Sequence, residues 1–425
     1  MICSNCVTPG PLKAFISDVG SVATCAYCER AGISVDPKAL FQYIYDRVEE
    51  NTAGEKDLSS YEDVMIFDVK ADITEVASID VVLSEWLGVE DDLYFDALCG
   101  SVPATLSRNE RNMDRLFFRD DGLLERNFYE DKWQAFVSGI RHSHRYFNPN
   151  AAEFLDSVFS FLTHAGKSLK PECVRLIAKG TPLYRARSVE SYEDAKKIQS
   201  NPASQLGRTP KDKASNQRMT PNGISALYCA LERETCLSEI RSITGDRVLS
   251  GAITPIREIA LLDLTKLASV ERPNLTLLDK RYLDTMHLKT FVDSLVKKMS
   301  TPKGRNDDLS YISTQVVFEY LRLRFADQVS GLVFPSVQTG EKGTNVVLFP
   351  EASVLSAKTY RPEHRELGPE FLPDDGSPFE DGAAFCFIES SIRFHKVKAL
   401  VTEAAEYDVI GELFMSDLTK RQIGL

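Results

Sequence analysis

The spacing of apolar residues predicts different structures for the two ends of this chain. Up to about residue 165, apolar residues recur mainly at intervals of three and four, which is typical of amphipathic helices. Beyond residue 170, short apolar runs of strand length alternate with segments of helical period. The pattern therefore predicts a mainly helical N-terminal part followed by a part that mixes strands and helices, which makes the fold class α+β.

The predicted elements have definite bounds. Helices are predicted at 37–51, 124–146 (as one helix or two), 151–164, 232–241, 279–299 and 311–325. The pattern of 64–88 is mixed, and this segment is predicted to be mainly helical. Strands are predicted at 183–185, 225–230, 248–262, 329–336 and 344–349. The polar, lysine-rich segment 190–217 is predicted to be a mobile loop, and the acidic segment 361–382, rich in proline and glycine, a surface loop.

The segment 218–241 is the centre of the predicted second part. A turn with proline and glycine leads into the apolar run 225–230, and a helix follows. The apolar face of that helix is formed by Cys236, Leu237 and Ile240. Glu239 falls at the edge of this face, where a carboxylate can look into a cleft. A solvated helix glutamate is the alternative interpretation of the same position.

Composition narrows the range of functions. A chain of 425 residues is too long for one ordinary core, so two domains are expected. The net charge of −12 argues against a nucleic-acid-binding surface as the main function. The sequence shows neither a signal peptide nor an apolar run near the length of a membrane span, so a cytosolic protein without membrane contact is expected. Its nine cysteines are then not a disulfide framework.

Four cysteines near the N-terminus are spaced as a zinc site. Cys3 and Cys6 form one CxxC pair, and Cys25 and Cys28 form another after eighteen intervening residues. Each pair can present two thiolates from one turn, and together the pairs complete a tetrahedral shell with no open position for catalysis. The spacing predicts one structural zinc ion that stabilises a short knuckle, with a redox pair as the alternative.

Two arginines and a serine could carry chemistry in the second part. Arg185, in a predicted strand, offers a planar guanidinium that matches a phosphate, although a strand arginine can also be a surface residue. Arg187 alternates onto the same face, so the pattern does not choose between the two. Ser336 ends a predicted strand, where a serine is often a turn residue, and no neighbouring histidine supports a serine-hydrolase triad.

Four blocks of the second part resemble, in order, the blocks of the RES family, which is named for an arginine, a glutamate and a serine. The blocks are 183–187 (LYRAR), 218–241, 311–315 (YISTQ) and 331–336 (GLVFPS). The resemblance covers roughly residues 170–400. It implies a compact fold like that of ADP-ribosyltransferases. The residues it implies are Arg185, Glu239 and Ser336 for catalysis, and Tyr184, Arg187, Arg218 and Tyr228 for binding NAD.

The resemblance also implies a reaction. Many RES proteins are toxins of bacterial toxin–antitoxin pairs that destroy NAD, and the bond between nicotinamide and ribose would be cleaved by hydrolysis or phosphorolysis. That chemistry is dissociative, so the protein chiefly supplies positioning and charge. Glu239 would contact the ribose hydroxyls and stabilise the developing cation, while Arg185 and Arg218 would hold the diphosphate or orient the nicotinamide end. The two tyrosines would offer faces for stacking and the serine a short hydrogen bond.

Two other functions stay open at this point. A protein ADP-ribosyltransferase would share the first half of the reaction and differ in the acceptor. A catalytically inactive binding module would leave the NAD pool intact on expression.

The predicted domains are a zinc knuckle at 1–35, a helical domain at 36–165 and a RES domain at 170–425, with a linker at 166–171. The helical part resembles the HEPN-like domains fused to some RES domains. HEPN ribonucleases use an arginine and a histidine, but Arg141 and His144 are closer together than that, so a solvated face or a contact with an acidic partner is favoured. The expected partners are NAD and a cognate antitoxin or regulatory protein, and an oligomer is left open.

Overall fold

The computed structural model describes residues 1–164, 166–270, 272–300, 309, 311–360 and 382–399, so the loop predicted at 361–382 lies outside the described residues except for its last position. Elements are numbered here in chain order. The strands are β1 Ile2–Cys3, β2 Ser21–Thr24, β3 Ala31–Val35, β4 Thr52–Ala53, β5 Val76–Ala77, β6 Phe117–Arg119, β7 Thr163–His164, β8 Ser168–Leu169, β9 Val174–Ile177, β10 Leu183–Val189, β11 Leu227–Ala230, β12 Arg247–Pro255, β13 Ile259–Asp263, β14 Gly331–Ser336, β15 Gly343–Leu348, β16 Leu355–Tyr360 and β17 Phe385–Lys396. The α-helices are α1 Gly10–Val19, α2 Pro37–Asn51, α3 Ser60–Val64, α4 Ile79–Val81, α5 Phe95–Cys99, α6 Ala104–Ser107, α7 Phe128–His142, α8 Pro149–Phe159, α9 Tyr192–Ser200, α10 Pro202–Gln205, α11 Arg233–Glu239, α12 Tyr282–Ser300 and α13 Ile312–Phe325.

The described part of the chain divides into two compact units. Unit 1 contains Met1–Asp131 and Arg272–Phe291, and unit 2 contains the described residues of 132–271 and 292–405. The domain boundaries predicted from the sequence stay predictions, and the units do not follow the one near residue 165. Helices and strands occur in both units, which confirms the α+β class. No helix in the described part of the chain is long and apolar enough to cross a bilayer.

Unit 1 contains more sheet than its apolar spacing predicts. Strands β1, β3 and β2 form one small antiparallel sheet in that order, and β4, β6 and β5 form another. The segment 64–88, predicted to be mainly helical, contains α4 and π-helical turns at Met65–Val69 and Val82–Trp86, with β5 between the two turns. Strands of two or three residues leave no readable alternation, so the sequence could not show them.

Helix α2 forms where the apolar spacing predicts it. Its first residue is Pro37, and the carboxylate of Asp36 accepts a hydrogen bond from the backbone N–H of Lys38 at 2.8 Å, which caps the N-terminus. Residues spaced by four along the helix have no exposed surface, namely Leu40, Ile44 and Val48. This stripe packs into the main core of unit 1, and its burial is the principal stabilisation of the helix.

A nine-stranded sheet organises unit 2. Its order is β16-β17-β12-β10-β11-β15-β14-β13-β9, and neighbours are antiparallel except for the parallel pairs β13–β14 and β16–β17. Side chains from the central strands form its core, including Leu183, Leu227, Leu249, Val346 and Phe387. Strand β9 precedes Leu183 in the chain, so the block 183–187 is not the first strand of this unit.

The sheet has a seam between β10 and β11, where two neighbouring strands share very little backbone pairing. Strand β10 pairs with β12 along its whole length, from Leu183 opposite Ile253 to Val189 opposite Arg247. With β11, which is also described in full, it pairs at a single position, Tyr184 opposite Ala230. The two strands therefore separate beyond this position, and the groups that would have filled a continuous ladder face an opening.

One prediction about a connecting segment is wrong. The segment 190–217 is not one loop, because α9 and α10 lie within it. Ser191 caps α9 by accepting a hydrogen bond from the N–H of Asp194 at 3.1 Å, and Ile198 is fully buried against the core of the sheet. One apolar anchor in a polar helix is too weak a periodic signal to read from sequence. The predicted linker 166–171 contains β8, which pairs with β7 in a hairpin.

Candidate active site

A cavity of about 380 Å³ lies at the seam of the sheet. Each wall comes from a different element of unit 2. The residues that matter for its chemistry are Tyr184 and Arg185 on β10, Tyr228 on β11, Glu239 at the end of α11, Phe334 on β14, Asn345 on β15, and Arg218 in the loop before β11. The size is in the lower part of the range for sites that bind small molecules and cofactors.

Glu239 is held in one orientation by two donors. Its Oε1 accepts a hydrogen bond from the hydroxyl of Ser336 at 2.6 Å and another from the side-chain amide of Asn345, also at 2.6 Å. Ser336 is fully buried and Asn345 nearly so. No group in the described part of the chain donates to the second oxygen, Oε2. The carboxylate is thus fixed through one oxygen and keeps the other for a ligand.

The N-terminus of α11 explains how Glu239 reaches these donors. Glu232, at the N-cap position, accepts hydrogen bonds from the hydroxyl of Thr235 at 2.8 Å and from the backbone N–H of Thr344 at 2.9 Å. A Cβ on Gly343 would lie 2.1 Å from the hydroxyl oxygen of Thr235, so glycine is required for this close approach. Helix α11 is therefore pinned to the start of β15, which sets the distance between Glu239 and Asn345.

Arg185 brings an unpaired positive charge to the cavity. Its Nη1 is buried, and in the described part of the chain no atom accepts a hydrogen bond from it. Burial lowers the pKa of Arg185, and the nearby charge of Arg187 acts in the same direction. A buried donor without a partner is unfavourable, so this guanidinium is suited to an anion that enters the cavity.

The structure distinguishes Arg185 from Arg187. The side chain of Arg187 is exposed and donates to the amide oxygen of Gln205 at 3.1 Å, and Arg187 is not part of the cavity wall. The binding role implied for Arg187 is therefore not supported by its position. Arg185 and Arg187 lie two positions apart on one strand, so the sequence could not show which of them faces the cavity. The structure shows it, because Gln205 at the end of α10 binds Arg187.

The aromatic residues of the cavity are also held by polar contacts. The hydroxyl of Tyr228 accepts a hydrogen bond from the backbone N–H of Met219 at 3.0 Å, and burial raises the pKa of Tyr228 to about 12. The guanidinium carbon of Arg233 lies 4.7 Å from the ring centroid of Tyr184, a cation–π distance. Arg218 lies 6.0 Å from the ring centroid of Phe334, measured from the same atom of its guanidinium.

The structure brings most of the sequence-predicted site residues together. Tyr184, Arg185, Arg218, Tyr228 and Glu239 line one cavity, and Ser336 reaches Glu239 by a hydrogen bond. Sequence reasoning missed Asn345. The one available signal was its polarity, because the run from Thr344 to Phe349 is otherwise apolar after its first residue. Roles in binding and catalysis stay predictions for all of these residues.

The four N-terminal cysteines form a separate cluster in unit 1. Their Sγ atoms all lie within 4.8 Å of one another, and the four are free thiols. The separations are 3.7 Å for Cys3 to Cys6 and for Cys6 to Cys25, and 3.6 Å for Cys3 to Cys28. A tetrahedron with Zn–S bonds of about 2.3 Å has edges of about 3.8 Å. The cluster therefore has the size and the donor set of a closed zinc site and could bind this ion.

The predicted link between the N-terminal part and HEPN domains stays a prediction. Arg141 lies in α7 and His144 just after it, and Nδ1 of His144 is 2.8 Å from the hydroxyl of its neighbour Ser143. In the second unit, His395 on β17 contacts the hydroxyl of Ser250 at 2.8 Å, and burial lowers its pKa. These contacts give neither histidine a place in the cavity at the seam.

The geometry defines a class of site. A mixed sheet opens at one seam, an arginine and a glutamate lie in the opening, and a serine is hydrogen-bonded to the glutamate. Residues 182–367 match the family model described as the RES domain. The chain therefore carries a RES domain at residues 182–367. A search of curated proteins finds no match to this chain.

Proposed function

We propose that the cavity at the seam binds NAD and cleaves the bond between nicotinamide and ribose. The observation that carries this proposal is the hydrogen bonding of Glu239: its Oε1 is fixed by Ser336 and Asn345, and in the described part of the chain no group donates to its Oε2. The same cavity contains Arg185, whose buried Nη1 has no acceptor among the described residues. The RES domain supports it at the level of the family, because the family is associated with NAD.

The reaction needs electrostatic help more than a nucleophile. As the C–N bond breaks, its electron pair leaves with nicotinamide, which becomes neutral, and positive charge develops on the ribose. A fixed carboxylate oxygen stabilises this charge more than it stabilises the ground state, and it can accept a hydrogen bond from a ribose hydroxyl. Water or phosphate then adds to the anomeric carbon and loses a proton. We assign this role to Glu239.

The arginines suit the other end of the substrate. A diphosphate carries negative charge, and guanidinium groups bind phosphate oxygens through two parallel hydrogen bonds. Arg185 would gain the acceptor that its buried Nη1 lacks, which makes phosphate binding favourable at this position. Arg218 would contribute a second positive charge from the loop before β11, which lines the same cavity. Tyr184 and Tyr228 would provide aromatic faces for the nicotinamide or the adenine.

This chemistry fits a toxin or defence effector that depletes NAD in a toxin–antitoxin-like system, with a cognate antitoxin or regulatory protein as its partner. Zinc at the four cysteines would be structural, because four thiolates leave no open coordination position. The metal would stabilise the knuckle and take no part in the cleavage.

The decisive experiment is the release of nicotinamide from NAD by the purified protein, measured by chromatography in water and in phosphate buffer. ADP-ribose as the product indicates hydrolysis, and a phosphorylated ADP-ribose formed in phosphate buffer indicates phosphorolysis. Transfer of radiolabel to a protein would instead show an ADP-ribosyltransferase. Absence of nicotinamide release under every condition, together with an unchanged NAD level after induced expression, would contradict the proposal.

A further inference from the structure

The first turn of α13 contains three buried polar residues, Ser313, Thr314 and Gln315, and the cavity alone does not explain why they are buried. None of them lines the cavity, although Tyr311 just before them does. Buried polar side chains are unfavourable unless they are hydrogen-bonded. Their partners therefore indicate what this end of the helix holds.

Gln315 binds the loop that carries Arg218. The two N–H groups of its Nε2 are shared among three acceptors: the side-chain oxygen of Asn216 at 2.5 Å, the carbonyl oxygen of Gln217 at 2.7 Å and that of Thr220 at 3.2 Å. The N–H of Gln217 also donates to the carbonyl of Thr220 at 2.8 Å, which closes the loop into a turn. One side chain amide thus fixes both ends of the turn 217–220.

Arg218 and Met219, within the turn 217–220, are also held by hydrogen bonds. The carbonyl oxygen of Arg218 accepts a hydrogen bond from the hydroxyl of Thr314 at 2.5 Å. The N–H of Met219 donates to the hydroxyl of Tyr228 at 3.0 Å. Three successive residues of the loop, 217 to 219, are therefore each tied through the backbone to a side chain outside it. The Cα–Cβ bond of Arg218 has a fixed direction as a result.

We propose that Gln315, assisted by Thr314, is a positioning residue that holds Arg218 where it meets the phosphates of the dinucleotide. The inference rests on the proposed function, because it needs Arg218 to contact NAD. The loop is held by hydrogen bonds within the protein, so Arg218 is in place before the ligand arrives. Binding then avoids the entropy loss of ordering a loop.

The test compares Gln315→Met with Tyr320→Phe and Arg218→Ala, and with the double variant Gln315→Met/Arg218→Ala. Methionine keeps the length of the side chain and removes its donors. Tyr320 is the matched control because it lies on the same helix and its hydroxyl donates to Asp156 at 2.7 Å, away from the loop. We expect the KM for NAD to rise about tenfold in Gln315→Met with kcat nearly unchanged, and to stay unchanged in Tyr320→Phe.

The double variant separates positioning from general stability. If Gln315 acts through Arg218, its replacement has no further effect on KM once Arg218 is alanine, whereas independent effects multiply. Thr314→Val, which keeps the shape and removes the hydroxyl, provides the same comparison if Gln315→Met does not fold.

A normal KM in both Gln315→Met and Thr314→Val, or multiplying effects in the double variant, overturns the inference while Arg218→Ala still raises KM and the proposed function stands. A wild-type protein that neither cleaves nor binds NAD overturns both.

Discussion

Ser336 and Glu239 are 97 positions apart in the chain, yet the serine hydroxyl donates to the carboxylate at 2.6 Å. This hydrogen bond joins the end of β14 to the end of α11. It shows that the glutamate is not a solvated helix residue, because its carboxylate has a buried partner on another element. The same oxygen accepts from Asn345, so the orientation of the carboxylate is set from two sides.

We expect Glu239→Gln to leave NAD binding nearly unchanged and to lower turnover on the order of 10²–10³, the effect of losing one preorganised electrostatic contact. Glutamine keeps the shape but not the negative charge that faces the developing cation. Nicotinamide release and NAD affinity are measured together. Glu234→Gln is the control, because Glu234 is exposed on the same helix. Equal turnover in the two variants would show that the carboxylate of Glu239 is not catalytic.

We expect Ser336 and Asn345 to affect catalysis by orienting the carboxylate of Glu239. Ser336→Ala and Asn345→Ala each remove one donor to Oε1, so the carboxylate gains freedom to rotate, and we expect kcat to fall about tenfold in each variant. In a Glu239→Gln background the same replacements should have little further effect, since the charge they orient is gone. If Ser336→Ala and Asn345→Ala lower kcat by the same factor in the Glu239→Gln background, the serine and the asparagine act independently of Glu239.

Arg185 should be a residue that lowers stability and is needed for activity. Burial lowers its pKa, so the folded protein holds this proton less tightly than the unfolded chain does, and the charged group is destabilising at every pH below the lowered pKa. We therefore expect Arg185→Met to raise Tm by about 2–4 °C and to abolish NAD cleavage. Arg185→Lys should also be inactive, because an ammonium lacks the planar fork.

The prediction for Arg185 has a control and two outcomes that would contradict it. Arg187→Met is the control, because Arg187 is exposed and bonded to Gln205. A lower Tm in Arg185→Met would show that the guanidinium is already satisfied in the free protein. Full activity in Arg185→Lys would remove the argument for a bidentate phosphate contact.

The purified protein should contain about one zinc ion per chain, bound by Cys3, Cys6, Cys25 and Cys28. Cys25→Ser should lose the metal and unfold the knuckle, because a closed site contributes folding free energy. Nicotinamide release should persist in this variant, since the ion has no open position for substrate. Elemental analysis and thiol titration measure the metal and its ligands, and an unchanged zinc content in Cys25→Ser would contradict the assignment. Cys99→Ser is the control outside the cluster.

The sequence predicted best those features that depend on near neighbours. The periodic helices α2 and α13 and the apolar strands β14 and β15 occur close to their predicted bounds. The two CxxC pairs do lie together, because each pair spans a single turn. Short strands and polar helices escaped prediction, as α9 shows, because their stability comes from one buried anchor and from pairing with distant segments.

In the site too, local features could be predicted from the sequence, and contacts between distant segments could not. The arginine, the glutamate and the serine could be found from their blocks, but the choice of Arg185 over Arg187 depends on where α10 lies. The carboxylate of Glu232, at the N-cap of α11, accepts a hydrogen bond from the N–H of Thr344 on β15, and no local pattern predicts this contact. Asn345 gave almost no signal. The contacts of Glu232 with Thr344 and of Glu239 with Asn345 join segments about a hundred residues apart, and no local pattern encodes such distances.

The seam between β10 and β11 also affects how unit 2 moves. Backbone amides are protected from hydrogen exchange by stable pairing, and these two strands pair only at Tyr184 and Ala230, although both are described in full. The amides of β10 that face β12 should therefore exchange slowly, while those that face the seam exchange quickly. A dinucleotide that contacts Arg185 on one strand and Tyr228 on the other would take the place of the absent ladder. We therefore expect a bound dinucleotide to connect β10 and β11 and to slow hydrogen exchange of the amides along the seam.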